Sequence, residues 1–121
     1  MNDPGEQSNL LDSETLEGLH EVGDAEFVKD LLETYLASAN KCLASISTAF
    51  DASETDQLRR VAHTFKGASG NVGATQLAET CRKLEVSAGQ SLEGAAEIIG
   101  QVQREFEQVK AEVQDQIEAC G

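Results

Sequence analysis

The sequence predicts an all-α protein, an up-and-down antiparallel four-helix bundle with a short extra helix laid across it at the N-terminal end. Three observations carry that expectation. Only five of the 121 residues are aromatic, four Phe and one Tyr, whereas strands collect aromatic and β-branched side chains. The single proline is Pro4, so nothing beyond it has to break a helix for want of a backbone N–H. Apolar residues recur at three-and-four spacing along four long stretches, and no stretch alternates apolar with polar residues as a half-buried strand would. The length suits one domain, here residues 12–120, preceded by a flexible tail over residues 1–11.

Each element has its own signals. Asp12 and Ser13 can cap a short first helix carrying Leu16 and Leu19, which ends near Val22-Gly23. Asp24 reads as the cap of a long second helix, whose Phe27, Val28, Leu31, Leu32, Tyr35, Leu36, Ala39, Cys42, Leu43 and Ile46 form one buried stripe. Asp51-Ala52-Ser53 reads as a loop, and Ser53 followed three residues later by Asp56 fits a capping pattern for the third helix. There Leu58, Val61, Ala62, Phe65, Ser69 and Val72 share a face, and Gly73 stops or bends the chain. A fourth helix from about Thr75 to Ala88 buries Leu77, Ala78, Cys81 and Leu84 and ends at Gly89. Ser91 starts the fifth, where Ala95, Ile99, Val102, Phe106, Val109, Val113 and Ile117 advance in threes and fours, a rhythm that suits a bundle seam. Connections this short join successive helices as antiparallel neighbours.

Composition excludes several classes. Nine Lys and Arg against 22 Asp and Glu give a formal net charge of −13, which repels nucleic acid and anionic membrane. Apolar runs are far shorter than the roughly 20 residues that span a bilayer, and Met1 to Asn9 lack the basic start and apolar stretch of a secretory signal. Cys42, Cys81 and Cys120 are odd in number and show no Cys-x-x-Cys spacing, so neither a disulfide framework nor a zinc site is expected, and the cytoplasm is the expected location.

The third helix carries a second stripe that the core does not require. At about 100° per residue, His63, Lys66, Gly67 and Gly70 fall roughly opposite Phe65. An imidazole, an ammonium and two positions without side chains thus lie along one outward strip. An interior helix glycine costs about 1 kcal/mol relative to Ala, so two of them on a solvent-facing strip call for a partner that approaches the backbone closely. Residues 57 to 84 hold five basic side chains, Arg59, Arg60, Lys66, Arg82 and Lys83, against the one acid Glu79, while the rest of the chain holds four basic and 21 acidic. This basic island suits an anion. In an antiparallel hairpin Glu85 can reach the third helix and accept a hydrogen bond from His63, which fixes the tautomer and leaves the other ring nitrogen free as a nucleophile.

The run Ala62-His63-Thr64-Phe65-Lys66-Gly67-Ala68-Ser69-Gly70-Asn71-Val72-Gly73-Ala74 closely resembles the signature of histidine-containing phosphotransfer (HPt) domains of bacterial phosphorelays. The likeness continues through Leu77 to Glu85 and back to Gly23-Asp24-Ala25-Glu26-Phe27, and covers about residues 12–120. Phe65 and Val72 stand where leucine is commoner in the family, a change of core shape. The resemblance implies an elongated helical bundle whose exposed histidine takes a phosphoryl group from one receiver-domain aspartate and passes it to another. On that reading His63 is the phosphoacceptor through Nε2, Lys66 screens the phosphoryl charge, Gly67 with Gly70 leaves room for the receiver, and Glu85 orients the imidazole. Thr64, Arg59, Arg60, Arg82 and Lys83 are contact and rim positions that steer an acidic receiver.

Phosphoryl transfer is mostly positioning and charge stabilisation, so a nucleophile, a cation and a clear approach suffice when the partner brings the aspartate and Mg2+. No glycine-rich phosphate loop is visible, and the expectation is a monomeric phosphocarrier that binds no cofactor or metal of its own and serves response-regulator receiver domains and a hybrid sensor histidine kinase. His20, in an acidic stretch with no Lys-Gly downstream, reads as solvated surface. A metal site from His63, Cys81 and Glu85 is rejected because Cys81 falls on an apolar stripe. The rival from another class is a phosphorylation-silent module that binds a signalling partner through the His63/Gly67/Gly70 face.

Overall fold

A computed structural model describes residues 10–120, and the described residues form five helices: α1 Ser13–Val22, α2 Ala25–Asp51, α3 Thr55–Asn71, α4 Thr75–Ala88 and α5 Leu92–Cys120. The long ones close a ring in which α2 packs on α3, α3 on α4, α4 on α5 and α5 back on α2, with α1 touching the outside of α2. This is the up-and-down bundle that the apolar stripes call for. Its interior is aliphatic around three rings. Phe106 lies edge-on to Phe65 at 6.0 Å and to Tyr35 at 6.4 Å. The Tyr35 hydroxyl and Ser69 Oγ share a buried hydrogen bond of 2.9 Å, which satisfies two polar groups that would be costly if left alone.

Two of the expected caps form. Asp12 accepts from the Thr15 amide at 3.0 Å and from its hydroxyl at 2.8 Å, and Asp24 accepts from the Phe27 amide at 2.9 Å. The expected Ser53 cap does not. Glu54 occupies the cap position of α3 without a side-chain bond, and Ser53 has φ +57°. The chain reverses there through backbone bonds, Ser53 N–H to Phe50 O at 3.1 Å and Glu54 N–H to Ala49 O at 2.8 Å, and Asp56 pairs with Arg59 at 3.2 Å. Phe27 also departs from the expected stripe: its ring is 41% exposed, folded over Gly23 at the corner between α1 and α2.

The expected tail over residues 1–11 lies outside the described residues except for Leu10 and Leu11. Leu11 is only 2% exposed and belongs to the core, because the Asp12 amide donates to the Gly73 carbonyl at 2.7 Å and pins the chain to the end of α3. Gly73 itself has φ +85°, and a Cβ there would stand 2.9 Å from the Asp12 nitrogen. Gly73→Ala is therefore expected to destabilise the fold by about 1–2 kcal/mol, from the left-handed backbone alone and before the crowding is counted. Urea denaturation measures it, and an unchanged midpoint would show that the corner is not held as described.

Candidate functional site

The site lies on the α3–α4 hairpin, where the antiparallel register brings positions 63 and 66 of one helix opposite position 85 of the other. His63 is 64% exposed, and its Nδ1 lies 3.0 Å from Glu85 Oε2. A carboxylate only accepts, so Nδ1 carries the proton and donates it. Nε2 has no hydrogen-bond partner among the described residues. Glu85 Oε1 accepts from Lys66 Nζ at 3.3 Å. One carboxylate thus holds both the imidazole and the ammonium. Partial burial pushes the Glu85 carboxyl up, but Lys66 and His63 outweigh it and hold the group below its ordinary range. The clamp is therefore present at neutral pH and is lost as pH falls through that lowered range.

Arg59, Arg60, His63, Thr64 and Glu85 line an open depression around the imidazole. The basic island is weaker than its sequence suggests. Asp56 and Glu85 stand just outside the window of residues 57 to 84, and they pair with Arg59 and Lys66, while Arg82 is held by both carboxylate oxygens of Glu79. Arg60 and Lys83 are the two of its five cations without an ion-pair partner among the described residues. Arg60 adjoins His63 in the depression, whereas Arg82 and Lys83 are exposed on α4.

Gly67 and Gly70 are exposed, and a Cβ added at either would meet nothing within 4 Å. The fold does not need them. Gly67→Ala is expected to raise stability by about 0.5–1 kcal/mol through helix propensity, whereas Gly67→Gln is expected to keep the fold and slow the docking of a partner on the strip. Thermal melts and transfer kinetics read the two effects separately, and equal kinetics for the Gln variant would leave the glycine without a docking role.

His20 lies exposed in the last turn of α1, a helix without Lys or Arg. Cys42 and Cys81 are buried thiols; burial pushes Cys42 up and Cys81 up to about 12, so neither supplies a thiolate near neutral pH. Among the described residues no three His, Cys, Asp or Glu side chains gather as a metal site would require, and no helix is long and apolar enough to cross a membrane. The link from Glu85 to Lys66 is the feature that sequence reasoning missed. The i to i+3 spacing of His63 and Lys66, which puts both on one strip, was the signal that a single carboxylate opposite could reach both.

A four-helix bundle that displays one imidazole on its outer face, held at one nitrogen and open at the other, defines a class of protein built to carry a group on histidine between partners. Comparison with known proteins names the class. Residues 30–112 match the Hpt domain family, and the chain belongs to it. It is 36% identical to the crystal structure of histidine-containing phosphotransfer protein B (HptB) from Pseudomonas aeruginosa PAO1, with a TM-score of 0.86 over 90% of this chain and 95% of that one. It is also similar to histidine-containing phosphotransfer protein 2 of Arabidopsis thaliana, at 27% identity over 90% of this chain and 74% of the relative. Multistep phosphorelay regulator 1 of Schizosaccharomyces pombe is 25% identical over 66% of this chain and 28% of its own length.

Proposed function

We propose that this protein accepts a phosphoryl group on His63 Nε2 from a receiver-domain aspartyl phosphate and passes it to another receiver in a multistep phosphorelay. The observation that carries the reading is the division of labour on an exposed imidazole: Nδ1 donates to Glu85, and Nε2 is left without a partner among the described residues. Nothing more elaborate is asked of the chain, since an aspartyl phosphate is already activated and the remaining work is alignment and charge stabilisation. Lys66 stands one helical turn from His63 and supplies the countercharge. The strip of Gly67 and Gly70 lets the receiver bring its aspartate to the imidazole, and Arg60, Thr64 and the outlying cations form the rim of the contact.

On this reading the protein is a carrier and not a kinase, working as a monomer in the cytoplasm between a hybrid sensor histidine kinase and its receivers. Mg2+ comes with the receiver, whose acidic pocket holds both the metal and the aspartate. The test is transfer from a phosphorylated receiver domain to the purified protein, scored by intact mass and by the acid lability of the adduct. An acid-labile phosphoryl group on this chain supports the carrier. No adduct with several receivers that phosphorylate another phosphotransfer domain would favour the silent interaction module on the same face.

A further inference from the structure

The positions three and four residues away on either side are the neighbours of His63 on the surface of α3: Arg59, Arg60, Lys66 and Gly67. Three of them are already accounted for. Arg59 is held by Asp56 at 3.2 Å, Lys66 is held by Glu85 at 3.3 Å, and Gly67 has no side chain. Arg60 is exposed and has no ion-pair partner among the described residues. We infer that the Arg60 guanidinium binds the phosphoryl oxygens once His63 is phosphorylated, a direct contact beyond any part it plays at the rim of receiver docking. The inference rests on the reading of His63 as the acceptor.

Side-chain direction supports it. Helical side chains lean toward the N-terminus, so the imidazole lies over the turn that carries Arg59 and Arg60 and away from the turn that carries Lys66. The depression bordering the ring agrees, since Arg59, Arg60 and Thr64 line it together with His63 and Glu85, whereas Lys66 does not. Nδ1 is given to Glu85, so a phosphoryl group is carried on the other nitrogen, beside a guanidinium whose planar fork matches two oxygens at once.

No other anion among the described residues claims Arg60. The groove toward α2 that it also lines holds Lys41 and no carboxylate. On α4, Glu79 is engaged with Arg82, and the two oxygens of Glu85 meet His63 and Lys66. Lys41 repels the guanidinium from one side, and a new dianion on the imidazole attracts it from the other. Lys66 contributes its charge to the site at large, with its ammonium already bonded to Glu85.

The contact has a direction of effect. When the adduct hydrolyses, the P–N bond breaks with its electrons returning to Nε2, and water joins phosphorus with both its protons to leave as inorganic phosphate. The transition state is loose, with bond breaking ahead of bond making, so negative charge drains from the phosphoryl oxygens onto the leaving nitrogen. A cation seated on those oxygens therefore holds the intact adduct more strongly than the transition state. Its loss shortens the life of the phosphohistidine.

The experiment leaves the receiver out, so that docking plays no part. Wild type, Arg60→Gln and Arg104→Gln are phosphorylated with phosphoramidate, which gives its phosphoryl group to imidazole and leaves as ammonia. The donor is removed, and the decay of the acid-labile adduct is followed by intact mass at neutral pH. Arg104 is exposed on α5, away from the depression, and its variant makes the same change of net charge. Arg60→Gln is expected to shorten the lifetime about two- to fivefold, the scale of one partly exposed charge pair, while Arg104→Gln matches wild type. Arg60→Lys, which keeps the charge without the fork, should fall between. Equal lifetimes for wild type and Arg60→Gln would overturn the inference while leaving His63 as acceptor, and so would an equal shortening by Arg104→Gln, which would trace the effect to net charge. A wild type that gains no phosphohistidine from phosphoramidate or from a phosphorylated receiver would overturn the reading beneath it as well.

Discussion

His63→Gln is expected to leave a folded bundle that takes no phosphoryl group at all. The side chain is 64% exposed and makes one side-chain hydrogen bond, and substitutions at such places usually change stability by less than about 0.5 kcal/mol. Nor does the change strand a charge. Glu85 keeps its ion pair with Lys66 at 3.3 Å when the imidazole is gone. Helical circular dichroism and the urea midpoint should therefore match wild type within error. Transfer is all or none by contrast, because a glutamine amide has no basic nitrogen to attack phosphorus. Intact mass after incubation with a phosphorylated receiver reads the result directly, and an acid-labile adduct on the variant would move the site to His20 or a carboxylate. An acid-stable one would point away from histidine.

The parts of this site that could be read from the sequence are those set by helical periodicity. Phe65 and His63 fall on opposite sides of α3 because two residues turn a helix by about 200°, and Glu85 falls opposite His63 because a hairpin with a short corner at Gly73 fixes which turns of α3 and α4 meet. What could not be read depends on atoms that come together only after folding. Ser53 has the composition of a cap, yet the corner closes through backbone bonds that force it to φ +57°, and composition says nothing of that competition. Phe27 keeps the apolar spacing but sits in the first turn of α2, where its neighbour Val28 takes the buried side and the Phe27 ring covers Gly23. Leu11 looks like tail because it precedes the first cap, whereas the bond between Asp12 and Gly73, 61 positions apart in sequence, draws it into the core. The basic island was overstated for a related reason. A window counted along the chain cut between Asp56 and Arg59 and between Lys66 and Glu85, pairs that a helix turn and a hairpin respectively bring within reach.

Phe106→Ala is expected to cause the largest loss of stability of any single truncation in the core, about 3–5 kcal/mol. Phe106 is 1% exposed and is the ring that both Tyr35 of α2 and Phe65 of α3 meet edge-on, at 6.4 and 6.0 Å. Its removal empties the junction of three of the four bundle helices, and the flanking rings are fixed: Tyr35 by its bond to Ser69, Phe65 by a helix whose other face carries the site. Collapse into the gap would have to move α3, and with it the His63–Glu85 contact to α4. Set against the roughly 5–15 kcal/mol that holds a domain together, the loss leaves a marginal protein. Urea denaturation should show the fall in midpoint, and transfer should decline in proportion to the unfolded fraction and recover on cooling toward the temperature of maximum stability. His63→Gln shows the opposite pairing, full stability and no transfer at any temperature. A Phe106→Ala loss below about 1 kcal/mol would mean that the three rings are not the centre on which α3 is seated, and that the position of His63 depends on the α3–α4 hairpin alone.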